Sequence, residues 1–190
     1  MNTFMVLSKS FIFVLTLSFL TQTFAAPKVF TVNASSSSSK SIIEIGDRLV
    51  DFSNFCKSGC KYKIPSVAEI RVLNQADDQY IIWTRVEDRK SFEFFSYVTA
   101  TLNESGDKFV MVDRSPTDAE GKELEKRYDL KHKPSFSKSK TIWTATNTNG
   151  NVTISHDGVH ETESRLMKTF YKMVQAGLDK AADEKMKHLE

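Results

Sequence analysis

The sequence predicts an α+β fold in which a curved antiparallel sheet of about seven strands wraps a long C-terminal helix. Three observations lead there. One amphipathic helical segment, Ile42 onward, is followed by several short alternating runs, and the last stretch, from Ser164, has a broad apolar stripe at helical spacing. Between the first helix and the sheet, VDFSNFCKSGCKYKIPSVAEIRVL (50–73) carries the chain through a short cysteine-bearing turn.

The chain opens with Lys9, an apolar run from Phe11 to Leu20 and small residues from Thr23 to Ala26, the pattern of a secretory signal peptide. That run is about ten residues, against the roughly 20 that a membrane-spanning helix needs, so cleavage after Ala25 is expected rather than anchoring. The predicted organisation is a signal peptide over 1–25, one ligand-binding domain over 26–182, and a polar tail over 183–190 that frays. A secreted or periplasmic location follows. Formal net charge is +2 in the full chain and +1 without residues 1–25, which excludes nucleic acid as a partner required by charge. The remaining length of about 165 residues suits a single domain with a sizeable core.

Val29–Val32 reads as a short strand and the serines Ser35–Ser39 as a loop. Ser41 and Glu44 form a capping-box pattern, and Ile42, Ile45, Leu49, Phe52 and Cys56 recur at steps of three and four, predicting a helix over 42–55 that buries that stripe. Gly59 and Pro65 punctuate its exit. From Ser66 the period is two, with Ala68, Ile70 and Val72 on one face and Glu69 and Arg71 on the other. Runs beginning at Tyr80, Phe92 and Lys108, separated by polar turns that hold Asp77, Asp78, Asp88, Gly106 and Asp107, continue an antiparallel meander. Phe92, Phe94, Val98 and Leu102 share one side of their strand, and Phe95 and Tyr97 point to the other, so both faces are partly covered. Thr117 and Glu120 open a short charged surface helix anchored by Leu124 and Tyr128. Asn149-Gly150, between two alternating runs, is a hairpin turn. Ser164 caps the last helix, whose stripe is Leu166, Met167, Phe170, Met173, Val174, Gly177, Leu178 and Ala181.

The order of these elements, the helix ending in LVDFSNF, the turn into PSVAEIRVL and the C-terminal amphipathic helix resemble the START-like superfamily, also called the Bet v 1-like, SRPBCC or polyketide cyclase/lipid-transport group. The resemblance implies a helix-grip fold and a hydrophobic small molecule, lipid-like or aromatic, held between sheet and helix. Against the family pattern, the serine segment is long, the cysteine pair is no hallmark, and SHDGVHETES lacks the usual proline-bearing turn.

Cys56 and Cys60 are the only cysteines. In an exported chain a disulfide is expected. A redox or metal pair is the alternative, but the spacing is not C-x-x-C and no histidine is close in sequence. His156 and His160, with Glu161, would form a metal site if they shared a face; Asp157-Gly158 reads as a turn or bulge that separates them, leaving one on the pocket wall and one on the surface. No metal site and no cofactor are predicted. His132 and His188 lie in charged segments and receive no role.

The ligand-binding set expected from these readings is Trp83, Phe94, Val98, Met111, Trp143, His156, Phe170, Tyr171, Met173 and Val174, with His156 or Tyr171 orienting the polar end of the ligand. Ordinary core packing explains the same apolar residues. Gly177 inside the last helix suggests close backbone approach or room for a guest. The lysines 131, 133, 138, 140, 180, 185 and 187 read as solvated faces, with transient membrane-surface contact as the functional alternative. The expected function is an exported, monomeric carrier of a hydrophobic ligand and not an enzyme. Two alternatives stand beside it: a cyclase- or dehydratase-like enzyme using His156 with Glu161 or Asp157, and a filled domain that acts through its surface.

Overall fold

The structure, a computed structural model, describes residues 26–64, 66–87 and 91–190. The signal-peptide reading of 1–25 and the turn roles of Pro65 and Asp88 lie outside them. In chain order the elements are β1 (Lys28–Ser38), α1 (Ile42–Val50), a 3₁₀ turn (Phe52–Asn54), β2 (Phe55–Cys56), β3 (Tyr62–Lys63), β4 (Val67–Ala76), β5 (Gln79–Glu87) and β6 (Ser91–Leu102). Then follow β7 (Lys108–Arg114), α2 (Asp118–Tyr128), β8 (Lys138–Thr148), β9 (Asn151–Thr162), α3 (Arg165–Thr169) and α4 (Tyr171–Leu189). Seven strands form one antiparallel sheet in the order β1-β9-β8-β7-β6-β5-β4, and β2 pairs with β3 in a separate parallel ribbon. Among the described residues, no helix is long and apolar enough to cross a membrane.

The serine run is a strand and not a loop. Ser35, Ser36, Ser37 and Ser38 pair in register with Ser155, Ile154, Thr153 and Val152 of β9. Small hydroxyl residues hold an edge strand here because their side chains take on a second task. Ser38 donates to the Leu189 carbonyl at 2.8 Å and Ser36 to the Glu190 carboxylate at 2.6 Å, so two serines meet the end of α4.

Ser41 caps α1 by accepting from the Glu44 N–H at 3.2 Å. The expected stripe is buried throughout, yet the helix stops at Val50 and not at Phe55. Asp51 leaves helical geometry, its carboxylate accepts from the Asn54 side chain at 2.8 Å, and Phe55–Cys56 is drawn into the pairing with β3. On the same face α1 rests against the sheet so closely that a Cβ at Gly46 would meet the Phe109 ring at 2.9 Å. In β4, register shifts at Val67/Glu69 and Val72/Asn74 disturb the alternation, so Val72, expected inward, is exposed.

The alternation within β5 and β6 separates two apolar clusters. Ile82, Val98 and Ala100 face the main core with Leu49, Met111, Trp143 and Ile154. Trp83 and Phe95 face the opposite side, where Leu124 of α2 covers them. A helix on the outside is thus why this part of the sheet is apolar on both faces.

The C-terminal segment departs most from expectation. The expected single helix is interrupted at Phe170, which separates α3 from α4. The first part of the expected stripe, Leu166, Phe170 and Met173, stands exposed, while Ala182, Met186 and Leu189 further along are buried. Residues 183–190 therefore do not fray as a polar tail: Met186 and Leu189 belong to the main core, and Arg48 donates to the His188 carbonyl at 2.8 Å.

Candidate functional site

A cavity of about 390 Å³ lies between the inner face of the sheet and α4, within the range typical of small-molecule pockets. Its apolar wall is made by Phe92 and Phe94 of β6, Trp143 of β8 and Val32 of β1, with Phe136 from the segment before β8. Gly177, Leu178, Ala181 and Ala182 form the helix side. Small residues at three of those four positions keep α4 from filling the space, and a Cβ built on Gly177 would have nothing within 4 Å. Gly177 is exposed, so the cavity reaches solvent along this part of the helix.

Of the expected ligand-binding residues, Phe94, Trp143 and His156 come together in this wall. Val98 and Met111 lie in the solid part of the core. Trp83 is on the outer face, its indole N–H donating to the Lys131 carbonyl at 3.0 Å. Tyr171 stacks on Phe30 with centroids 5.0 Å apart, Val174 is half-buried, and neither Phe170 nor Met173 faces the cavity, since both are exposed.

His156 and His160 both point inward, contrary to the expected split between pocket wall and surface. β9 runs unbroken through Asp157-Gly158 because β1 and β8 pair with it on both sides without a register shift, holding the glycine extended. Asp157 consequently points away and is exposed, and Glu161 pairs with Lys138 at 3.6 Å. Neither acid converges with His156. Among the described residues, no group of three or more His, Cys, Asp and Glu side chains is arranged to hold a metal ion.

Other polar groups enter the cavity instead: Asp113 and Ser96 from neighbouring strands, Ser139 of β8, His132 and Lys185. Their positions had signals in the sequence. Asp113 is in phase with the buried Phe109 and Met111, and Lys185 lies four residues after Ala181 on the cavity side of α4. The lysine reading as a solvated face fails at Lys185, whose Nζ sits 5.0 Å from the ring centroids of both Phe55 and Trp143. His132 is half-buried, and its Nδ1 accepts from the Phe95 N–H at 3.2 Å.

Burial sets the protonation of these groups. His156 is pushed down to about 4, by desolvation first and then by the charge of Lys185 and by His160. Desolvation also lowers His160 and His132. Lys185 falls to about 8 through desolvation, which Asp113 partly offsets, while desolvation raises the Asp113 carboxyl against a hydrogen bond from Ser96 and the charge of Lys185. Near neutrality the wall therefore offers an uncharged imidazole beside an opposed acid and amine.

Cys56 and Cys60 form a disulfide with a Cα separation of 5.6 Å. It closes the turn that leads from Phe55 to Ile64, which lines the cavity.

A seven-stranded antiparallel sheet holding a C-terminal helix, with a hollow between them, is the START-like, or Bet v 1-like, helix-grip fold. Solved structures agree. The Zhui aromatase/cyclase from Streptomyces sp. R1128 is similar with a TM-score of 0.57 at 11% identity, over 85% of this chain and 92% of that one. A STAR-related lipid transfer protein from Xanthomonas axonopodis has a TM-score of 0.57 at 13% identity, over 83% of this chain and 84% of that one. Human STARD10 has a TM-score of 0.58 at 11% identity, over 84% of this chain and 62% of that one. At such identities the likeness is one of fold. No protein-family model matches the chain, and no curated protein matches it in sequence.

Proposed function

We propose that this protein is an exported carrier that holds a hydrophobic small molecule in the cavity between sheet and α4. The observation that carries the reading is the cavity of about 390 Å³, walled by phenylalanines and Trp143 and lined with small residues on its helix side. Apolar surface withdrawn from water at roughly 25 cal/mol per Å² supplies the affinity. The proteins of this fold named above include a lipid transfer protein and an aromatase/cyclase, which supports a hydrophobic cargo. Export is supported by the signal-peptide pattern of residues 1–25 and by the Cys56–Cys60 disulfide.

Native mass spectrometry of protein purified from its own host, followed by organic extraction, tests this. A co-purifying lipid-like or aromatic molecule is the expected result. Consistently empty protein that shows no thermal shift across a lipid panel overturns it.

The carrier acts as a monomer and loads by brief contact with a membrane surface. Leu166, Phe170 and Met173, exposed at steps of four and three, supply the apolar contact, with Arg165 and Lys172 beside them for anionic lipid. Co-sedimentation with anionic vesicles that is lost when Phe170 and Met173 are changed to serine is the expected outcome.

One observation favours a second reading, a cyclase- or dehydratase-like enzyme: His156 and Asp113 line the same cavity, so a base and an acid both face any ligand there. A His156→Ala protein that retains every turnover found in the wild type eliminates it.

A further inference from the structure

The polar groups of the cavity also bear on what kind of molecule fits. His156 and His160 project from β9 to one side with Gly158 between them. A Cβ at Gly158 would lie 3.2 Å from His156 Cε1 and 3.2 Å from His160 Nε2, so the two rings flank a notch that only a bare backbone leaves open. Their hydrogen bonding differs. Ser139 Oγ lies 2.7 Å from His160 Nδ1 and holds that ring in place. His156 Nδ1 is buried with no hydrogen-bond partner among the described residues, in a side chain only 5% exposed. Such an atom normally finds a partner, because leaving it unpaired forfeits the hydrogen bond it made to water.

The cavity also holds an acid and an amine. Asp113 from β7 and Lys185 from α4 are the acid and the amine of the lining, and they oppose one another. His132, from the segment after α2, is engaged by the Phe95 N–H.

We propose that the bound molecule is an uncharged amphiphile ending in a hydroxyl, and that this hydroxyl occupies the notch between His156 and His160. The inference rests on the carrier reading and specifies its cargo. A hydroxyl both donates and accepts, so it pairs with His156 Nδ1 in either tautomer. A hydrocarbon end leaves that nitrogen unpaired. An ionised carboxylate or phosphate end gives up its water in a low-dielectric site. The imidazoles offer it no compensating positive charge, since burial keeps both below their ordinary range.

Displacement of the neutral fluorophore N-phenyl-1-naphthylamine by 1-decanol, decanoate and decane at neutral pH tests the inference. 1-Decanol is expected to bind about tenfold more tightly than either of the others. In His156→Phe its advantage over decane collapses, while decane still binds. Decanoate or decane displacing the fluorophore as well as 1-decanol overturns the inference and leaves the carrier reading standing. Failure of the fluorophore and of all three molecules to bind removes both. Should His156→Phe fail to fold, the order of the three affinities in the wild type decides the question.

Discussion

Trp143 on β8 and His156 on β9 are direct cross-strand partners whose ring centroids lie 4.3 Å apart. The indole covers one side of the imidazole, and Lys185 from α4 stands over the same indole. Sheet register thus places a large apolar ring, a titratable ring and an amine on one patch of the cavity wall, and the apolar ring helps keep the titratable one dry.

That dryness has a consequence for acid stability. His156 titrates near 6.5 when unfolded and near 4 in the folded protein, so between those values the unfolded chain binds more protons. Stability therefore falls as pH drops from about 6.5 to about 4, by at most about 3 kcal/mol from this group. His160 and His132, lowered by burial, act in the same sense, and the raised Asp113 carboxyl opposes them. Urea denaturation across this range should show a falling midpoint, with a shallower fall in His156→Phe. Equal acid lability in that variant would remove His156 from the explanation.

Gly177 separates stability from capacity. An alanine there meets no neighbour within 4 Å and should stabilise the helix by about 1 kcal/mol. Gly177→Leu is expected to keep the fold and reduce uptake of a cavity probe several-fold, because the added side chain occupies the hollow. Thermal melts and probe titration read the two effects independently, and unchanged uptake in Gly177→Leu would place the ligand elsewhere.

At the chain's end, Leu189 is fully buried in the main core. Leu189→Ala should cost about 2–5 kcal/mol in chemical denaturation, as expected for a core leucine. Removal of residues 183–190 should be worse, since it takes Met186 and the carbonyls that Arg48 and Ser38 bind. A truncated protein as stable as the full chain would show that this segment is dispensable.

The disulfide closes only a short loop, so reducing it, or changing both cysteines to serine, should cost about 2 kcal/mol by the chain-entropy estimate. The larger expected effect is local. Hydrogen exchange should quicken over Phe55–Ile64 with little change in β8 and β9, and uniform loosening of the sheet would contradict that picture.

Periodicity in the chain was enough to read the α+β class, the meander, the Ser41 and Thr117 caps, the Asn149-Gly150 hairpin and the buried stripe from Ile42 to Cys56, because each depends on neighbours close in sequence. Phe94, Trp143 and His156 were legible as cavity residues for the same reason: once the sheet was inferred, alternation assigned their faces. What alternation cannot supply is a partner distant in the chain. Ser35–Ser38 is a strand because β9 lies beside it. Asp157-Gly158 stays extended because two strands hold it. Trp83 faces outward because α2 covers that side of β5. Which part of the last helical segment is covered, with Phe170 and Met173 left exposed and Gly177, Ala181 and Lys185 on the cavity, depends on how the helix seats against the sheet. Local patterns establish which residues can be buried together; long-range packing selects which of them surround a hollow.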